Sequence, residues 1–599
     1  MRRKAVSAWS MVAAAALVLS ACSGGGSGDN GSGQNASTDV NTMKTGKAES
    51  GDNYKLANAP ESDQVTVAID DSFTAYNQNT PDANTSYNSF VLITTLATPY
   101  VLDGDNKVLL NQDVMDSVTV TQNPQVVTWK VKPNVKWSDG ATWGCKDFYL
   151  AWLAQSGKPK GADGKAAFDP ASTSGYSLIS DAQCKDETTF VATFEKPYLD
   201  YKGLFTTAWM MPAHIVEKQT GVADISKVKP TDAADIGKVA EFWNKGWAAD
   251  FKPELSPASG PYKITAVDKS KETVTLEKNP TWAGAKGGPK KILVRAIKDR
   301  NAMASALQNG EIDVAASTQP DNTAADKLKG LASQGVVYGS ASQLSFEHLD
   351  LNYKRIFADE SARKAFMAAI DRNEIVDKLV KNVQADAKPL SSLQFYPNEA
   401  GYVDLYSDKA GLGAEKAAKI LTDAGWAKGP DGIFAKDGKR FSVTITHNTN
   451  ARRTKTVEII QSQAKLAGIE VKEETDPNFL KGRVSDGGYD VALFAWSAAP
   501  FKAEASTIYI TADKGGEQNW QGLSDPKIDE ALQRAVSATD ESAATKAYQD
   551  ADKAIADQHA SLPLFAVPSM WAFRGIDRVW MQSYFGAMWN VGEWAKTNK

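Results

Sequence analysis

The segments FSVTITHN at residues 441–448 and YDVALFAW at residues 489–496 decide the fold class of this chain. The first is rich in β-branched residues, which favour β-strands. The second is almost entirely apolar, which is typical of a central strand buried on both faces of a sheet. Between them, VEIIQSQAKLAG predicts a helix whose apolar side chains recur at spacings of three and four: Val457, Ile460, Ala464 and Ala467. The alternation of strands and helix predicts an α/β fold.

A second region nearer the N-terminus repeats this pattern. KKILVRAIKD at 290–299 and EIDVAAS at 311–317 are predicted strands, and AMASALQN between them is a predicted helix that Asn301 caps and Gly310 ends. The short connections predict a parallel pair of strands with a right-handed crossover. SARKAFMAAIDRNEIVDKLV predicts a further helix over residues 361–380. The chain therefore contains at least two α/β bodies, with a mixed region at about residues 111–257.

The predicted strands also indicate where a ligand binds. In open α/β sheets ligands bind beyond the carboxyl ends of the strands. This rule points to four places: Asp70–Ser72 after VTVAI, Ser317, His447–Asn448, and Trp496–Pro500. If two lobes face each other, these strand ends line one cleft.

The N-terminus predicts export and lipid anchoring. Three basic residues precede the short apolar run Met11–Leu19, a pattern typical of an export signal. Leu19-Ser20-Ala21-Cys22 resembles a bacterial lipobox, which implies a signal peptide at 1–21 and a diacylated Cys22. The alternative is an ordinary secretory signal with a chance cysteine, but the chain has three cysteines in 599 residues. Residues 22–60 are rich in Gly, Ser and Asn, which predicts a disordered tether.

Composition excludes several classes of protein. A net charge of −5 offers no basic excess for a nucleic-acid partner. The four histidines are scattered without metal-ligand spacing, so we expect neither a metal nor a cofactor, and no catalytic signature indicates an enzyme. Cys145 and Cys184 are a predicted disulfide in an exported chain, with two buried thiols as the alternative.

Several ordered segments resemble the family 5 extracellular solute-binding proteins, the oligopeptide- and dipeptide-binding components of ABC importers. VTWKVKPNVKWSDGATWGCKDFYLAW at 127–152 is similar to the family's signature run. SGPYKI at 259–264 and VTLEKNPTW at 274–282 resemble its G-x-G-P-Y turn and its N-P-x-W segment. Further segments follow in the family's order: NGEIDVA, LDLNYKRIFADESARKAFMAAIDRNEIV, AAKILTDAGW and LSDPKIDEAL.

The resemblance implies a type II periplasmic-binding fold, with two hinged lobes and an extra inserted α+β domain. It implies a first lobe at 61–107, 258–342 and 568–599, an inserted domain at 108–257 and a second lobe at 343–567. It also implies a monomeric lipoprotein on the outer face of the bacterial cell membrane. Such a protein captures a peptide or other small solute and delivers it to an ABC permease.

In peptide-binding members an aspartate that follows the buried strand pairs with the peptide's α-amino group. Trp496 matches the family's tryptophan, but Ala499 stands where the aspartate would be. The ligand is therefore a peptide held differently or, alternatively, an oligosaccharide or other amine-free solute; an exported enzyme or a signalling lipoprotein is a third hypothesis. The candidate ligand-binding residues are Tyr76, Asn77, Asn448, Ala495, Trp496, Ser497, Ala499 and Trp520.

Overall fold

The computed structural model describes residues 52–104, 106–206, 209–248, 250–397, 399–498, 500–516, 518–582 and 584–597. The predicted signal peptide, Cys22, most of the predicted tether and Ala499 lie outside the described residues. Within the described ranges, none of the helices combines the length and the apolar character needed to cross a membrane.

A ten-stranded mixed sheet runs through the protein, which confirms the α/β prediction. Its strands lie in this spatial order: Glu470–Thr475, Ser442–His447, Val491–Ser497, Val336–Leu351, Ser561–Arg574, Val314–Ser317, Glu61–Ile69, Gly288–Ala296, Thr273–Lys278 and Tyr262–Asp268. The predicted parallel pair of Gly288–Ala296 and Val314–Ser317 is not adjacent, because Glu61–Ile69 lies between them and is parallel to both. The local sequence pattern correctly predicted that the two strands run parallel. It could not predict that a third strand, more than 200 residues earlier in the sequence, lies between them.

Two long strands, Val336–Leu351 and Ser561–Arg574, connect the two halves of this sheet, and we call them the hinge strands. They pair in three antiparallel stretches, separated by register shifts between Ser342 and Phe346 and between Glu347 and His348. The half of the sheet with Glu61–Ile69 is called the first lobe, and the half with Val491–Ser497 the second lobe. Each lobe has its own large hydrophobic core.

The inserted region forms a four-stranded antiparallel sheet whose core is continuous with that of the first lobe. Its strands in spatial order are Met115–Thr121, Val126–Val131, Thr189–Phe194 and Ile179–Cys184. Cys145 and Cys184 are joined as a disulfide, with Cα atoms 5.6 Å apart. The remaining small sheets comprise Asn53–Tyr54, Val108–Asn111 and Tyr100–Leu102; Ala427–Lys428, Phe434–Lys436 and Lys439–Arg440; and Ile576–Asp577 with Ala595–Lys596.

The helices cover the faces of these sheets. In the described part of the chain the α-helices are Ser86–Thr95, Cys145–Gln155, Ala213–Thr220, Ala233–Lys245, Arg300–Asn309, Asn322–Gly330, Glu360–Ala369, Arg372–Leu379, Ala414–Asp423, Ala451–Leu466, Ser506–Tyr509, Pro526–Val536 and Glu541–Gln558. The helix predicted over 361–380 is two helices, because Asp371 caps a new helix by accepting a hydrogen bond from Asn373 N. The cap of Arg300–Asn309 is Asp299 rather than Asn301.

The predicted tether at 22–60 ends earlier than its composition indicated. Asn53–Tyr54 pairs in parallel with Leu110–Asn111, and the side chains of Tyr54 and Leu56 are buried. Leu56 N donates a hydrogen bond of 2.8 Å to Asp113 Oδ2. Residues 52–60 are therefore part of the folded body, because two large apolar side chains dock in the first lobe. Val108–Asn111 pairs with this segment, so the four-stranded sheet of the inserted region begins only at Met115.

Candidate functional site

An aromatic wall lies at the end of the central strand of the second lobe. The rings of Trp496 and Trp520 are 5.0 Å apart between centroids, and Phe494 lies 5.0 Å from Trp496. His348 on the neighbouring hinge strand stacks on Trp496 at 6.2 Å. Among the described residues, no hydrogen-bond acceptor pairs with the indole N–H of Trp496. That nitrogen is itself buried, so what the wall offers a ligand is its flat apolar ring faces, which suit rings or apolar chains.

The strand Val491–Ser497 has one edge that is only partly paired. On one side it pairs along its whole length with the hinge strand, from Ser345 to Leu351. On the other side only Val491 and Ala492 pair with a strand, Ser442–His447. Within the described residues, the rest of this edge, which includes the predicted Ala495 and Ser497, has no strand partner. An extended ligand could add there as a further strand.

A buried ionic cluster holds the loop that contains Asn448. Glu347 Oε1 accepts hydrogen bonds of 2.7 Å and 2.9 Å from the guanidinium groups of Arg452 and Arg453. Burial alone would raise the pKa of Glu347, but the charges of Arg453 and Arg452 outweigh it and hold the pKa at about 2. Arg453 also donates to Asn448 Oδ1. Asn448 is thus fixed in place by the cluster.

A cavity of about 100 Å³ lies where the first lobe and the inserted region meet Phe501 of the second lobe, and we call it the amide cavity. Among the described residues that line it, none is Asp, Glu, Lys, Arg or His. The lining residues that matter most below are Gln78, Asn79, Asn84, Gln155, Tyr198 and Phe501. The site is therefore polar but carries no formal charge.

The side-chain amides of Gln78 and Asn79 each have one polar atom that could pair with a ligand. Gln78 Oε1 accepts a hydrogen bond of 3.0 Å from Ser89 Oγ, and Asn79 Nδ2 donates one of 2.9 Å to Trp209 O. Among the described residues, no protein group pairs with Gln78 Nε2 or Asn79 Oδ1. One donor and one acceptor are thus held rigidly at the cavity.

Tyr76 and Asn77, which the sequence predicted as ligand contacts, do not line this cavity. The Tyr76 hydroxyl donates to Pro257 O, and Asn77 Nδ2 donates to Trp243 O at 2.8 Å. Both side chains are buried. Their side chains point into the interior because main-chain carbonyl groups of the inserted region accept hydrogen bonds from them. Asn77 Oδ1 also accepts a hydrogen bond of 2.9 Å from Asn79 Nδ2. In the structure Tyr76 is thus a buried packing residue, and Asn77 supports Asn79.

The predicted strand ends at Asp70 and Ser317 come together but satisfy each other. Asp70 Oδ1 accepts from Ser317 Oγ at 2.6 Å, and Asp70 Oδ2 accepts from Thr318 N at 2.7 Å. Burial raises the pKa of Asp70, against the lowering effect of these hydrogen bonds and of Arg300. This carboxyl is a structural group of the first lobe.

Sequence reasoning missed most residues of the amide cavity. Gln78 and Asn79, which line the cavity, directly follow the predicted Tyr76 and Asn77, which do not. Gln155, Tyr198 and Phe501 come from three other segments, and no local pattern in the sequence indicates that they meet. Trp496, Trp520 and the strand edge at Ala495 and Ser497 lie in one region, as the prediction grouped them, but ligand contact there is untested.

The chain is similar in sequence and in fold to proteins of a known family. Residues 110–518 match the family described as bacterial extracellular solute-binding proteins, family 5 Middle. The oligopeptide-binding protein OppA of Mycobacterium tuberculosis (strain ATCC 25618 / H37Rv) is 26% identical over 575 residues, covering 93% of this chain and 88% of that protein. The uncharacterized lipoprotein Rv2585c of the same strain is 25% identical, covering 89% and 93%. The structure of the periplasmic EDTA-binding protein EppA has a TM-score of 0.80 at 24% identity, covering 91% and 98%, and shows the same fold.

Proposed function

Since this chain belongs to family 5 of the bacterial extracellular solute-binding proteins, we propose that it captures short peptides and delivers them to the membrane permease of an ABC importer. The relative named oligopeptide-binding protein OppA, similar over 93% of this chain, supports this ligand class. The two-lobed fold with hinge strands suits a protein that closes around a solute and presents the closed state to a partner.

The observation that carries the proposal is the uncharged, amide-lined cavity between the lobes. A peptide main chain presents alternating N–H donors and C=O acceptors, which Asn79 Oδ1 and Gln78 Nε2 can pair with. The open edge of Val491–Ser497 can pair with the same main chain as an added strand, independently of ligand sequence. Both features recognise the peptide bond rather than any particular side chain.

A second candidate ligand, an oligosaccharide or other amine-free solute, is favoured by one specific observation. No carboxylate is found among the described residues that line the amide cavity, and Ala499 replaces the acid expected in peptide-binding members. A buried ammonium group without a counter-charge is costly. The rings of Trp496 and Trp520 could instead stack on a sugar ring. The similar structure EppA is itself named for EDTA, which is not a peptide.

Calorimetric titration with three matched panels separates the candidates: peptides of two to six residues, the same peptides N-acetylated, and oligosaccharides. Free peptides that bind support the first candidate, and binding of acetylated peptides or sugars alone supports the second. Ala499→Asp should then raise the affinity for free peptides about tenfold, or 1.4 kcal/mol, and leave N-acetylated peptides unchanged. Protein that binds none of the three panels, and that copurifies with no solute by native mass spectrometry, would contradict both candidates.

The lipid anchor remains part of the proposal. The lipobox at Leu19–Cys22 and the similar chain named a lipoprotein support it. Cys22→Ala should move the protein from the membrane fraction to the soluble fraction, because two acyl chains are needed for stable anchoring. Ser23→Ala is the matched control and should stay in the membrane fraction. A Cys22→Ala protein that remains in the membrane fraction would exclude anchoring through this residue.

A further inference from the structure

Residues 500–503 form a strap that leaves the second lobe and crosses to the inserted region. Lys502 attaches the strap to the second lobe. Its Nζ donates a hydrogen bond of 2.8 Å to Gln394 O and forms an ion pair of 2.8 Å with Glu399 Oε2. The same ammonium lies over the ring of Phe395, 4.5 Å from its centroid. Three different groups thus fix one residue of the strap.

The strap is also held from the other side. Asp200 Oδ2 in the inserted region accepts a hydrogen bond of 2.8 Å from Ala503 N. The ring of Phe501 packs against Gly203, where an added Cβ atom would come within 2.7 Å of Phe501 Cδ2. Glycine is required there because the ring occupies the space of a side chain. Phe501 is therefore positioned by Lys502 on one flank and by Ala503 and Gly203 on the other.

Phe501 separates two spaces. On one side is the amide cavity of about 100 Å³, and on the other a groove of about 610 Å³, which we call the outer groove. Tyr198 and Phe501 are the two residues that line both. Among the groove's other lining residues, several are apolar: Val108, Leu199, Val536, Ala544 and Tyr548.

The two volumes differ in what they can hold. Binding sites for small molecules generally span about 300–1,000 Å³. The amide cavity is below that range and the outer groove lies within it. An extended peptide advances about 3.3 Å per residue, so a chain that starts in the amide cavity meets the ring of Phe501 after one or two residues.

We propose that Phe501, together with Tyr198, is a partition that sets the length of the bound peptide, and that the outer groove is a second subsite for its following residues. With the ring in place the ligand ends at the partition. With the ring displaced the two spaces join, and the outer groove, whose lining mixes apolar residues with charged ones such as Lys107, Lys202 and Glu541, takes the following residues of a longer peptide. This inference rests on the proposed function, since it concerns the length of the same ligand.

The test is calorimetric titration of the full mature protein with peptides of two to six residues that end in leucine. In the wild type, affinity should fall as length increases. Phe501→Ala should raise the affinity for the longer peptides at least tenfold and change that for the shortest less than threefold. Leu466→Ala removes an exposed apolar side chain that lines neither space; it is the matched control and should keep the wild-type length profile.

Gly203→Ala is an independent second variant, because it displaces the ring without removing it. It should shift the length profile in the same direction as Phe501→Ala, and thermal unfolding checks that each variant is folded. If the wild type binds peptides and both variants keep its length profile, the partition is refuted while the proposed function stands. If neither the wild type nor any variant binds a peptide of any length, the peptide function fails and the inference fails with it.

Discussion

Asp70 in the first lobe and Glu347 in the second are both buried carboxyl groups beside the central strands, yet their partners differ. Asp70 accepts its hydrogen bonds from uncharged groups, Ser317 Oγ and Thr318 N, and the Nε atom of Arg300 is 3.7 Å away. Glu347 lies between two guanidinium groups at 2.7 Å and 2.9 Å. Burial therefore dominates at Asp70 and raises its pKa, whereas the paired charges dominate at Glu347 and lower its pKa.

The comparison shows that burial alone does not decide whether a carboxyl group stays ionised. Desolvation disfavours the charged form at both positions, and only a close opposite charge reverses the outcome. The same difference decides what each group holds in place. Asp70 joins two strand ends of the first lobe, while Glu347 joins a hinge strand to the helix Ala451–Leu466 and, through Arg453, to Asn448.

The largest expected effect comes from removing the charge at Glu347. Glu347→Gln leaves Arg452 and Arg453 buried without a counter-charge, so we expect a loss of about 3–5 kcal/mol in the free energy of unfolding. Asp70→Asn loses only neutral hydrogen bonds, and we expect about 1–3 kcal/mol.

Urea denaturation of both variants measures this difference. Glu458→Gln, an exposed change on the same helix as Arg453, is the control and should stay within about 0.5 kcal/mol of the wild type. Equal losses for Glu347→Gln and Asp70→Asn would remove the proposed contrast between the two lobes.

A smaller effect should appear in the pH dependence, with opposite signs at the two groups. The pKa of Glu347 is about 2 in the folded protein against an ordinary 4.5, so its contribution to stability is present above pH 4.5 and is lost as pH falls towards 2. The pKa of Asp70 is raised above its ordinary 3.8, so its contribution is present below that pH and is lost as pH rises through the folded value.

The measurement is the free energy of unfolding of each variant and of the wild type between pH 5 and pH 2.5. This range covers about two pH units of the interval between the ordinary and the folded pKa of Glu347. The stability advantage of the wild type over Glu347→Gln should shrink on acidification, by at most about 1.4 kcal/mol per pH unit. Its advantage over Asp70→Asn should grow instead. If the stability advantage of the wild type over the two variants changed in the same direction with pH, the guanidinium pair would not control the ionisation of Glu347.

The sequence predicted the elements of the fold well where burial alone shapes the pattern. The four apolar positions of the helix Ala451–Leu466 and its extension are fully buried, from Val457 to Ala467. The predicted strand at 489–496 lies inside the sheet, as Val491–Ser497, in agreement with its almost entirely apolar sequence. The prediction of one helix over 361–380 was wrong at Ile370–Asp371, where Asp371 caps a new helix. A continuous apolar stripe indicates which side chains are buried, but not whether the helix backbone is continuous.

For the candidate site, the sequence indicated Trp496, Trp520 and the loop at Asn448, but not which way each side chain turns. Tyr76 and Asn77 have the residue types of ligand contacts, yet carbonyl groups about 170 residues away bind them in the interior. Phe501 carries no local signal at all, and the position of its ring depends on contact with Gly203 in the inserted region.

The α/β class, the central strands and the positions of the strand ends could be read from the sequence, because these follow from the periodic burial of neighbouring residues. Only the tertiary structure decided which polar groups remain available to a ligand. Hydrogen-bond partners such as Ser317 and Asp70 lie 247 residues apart, so their pairing depends on how distant segments pack and not on any local pattern.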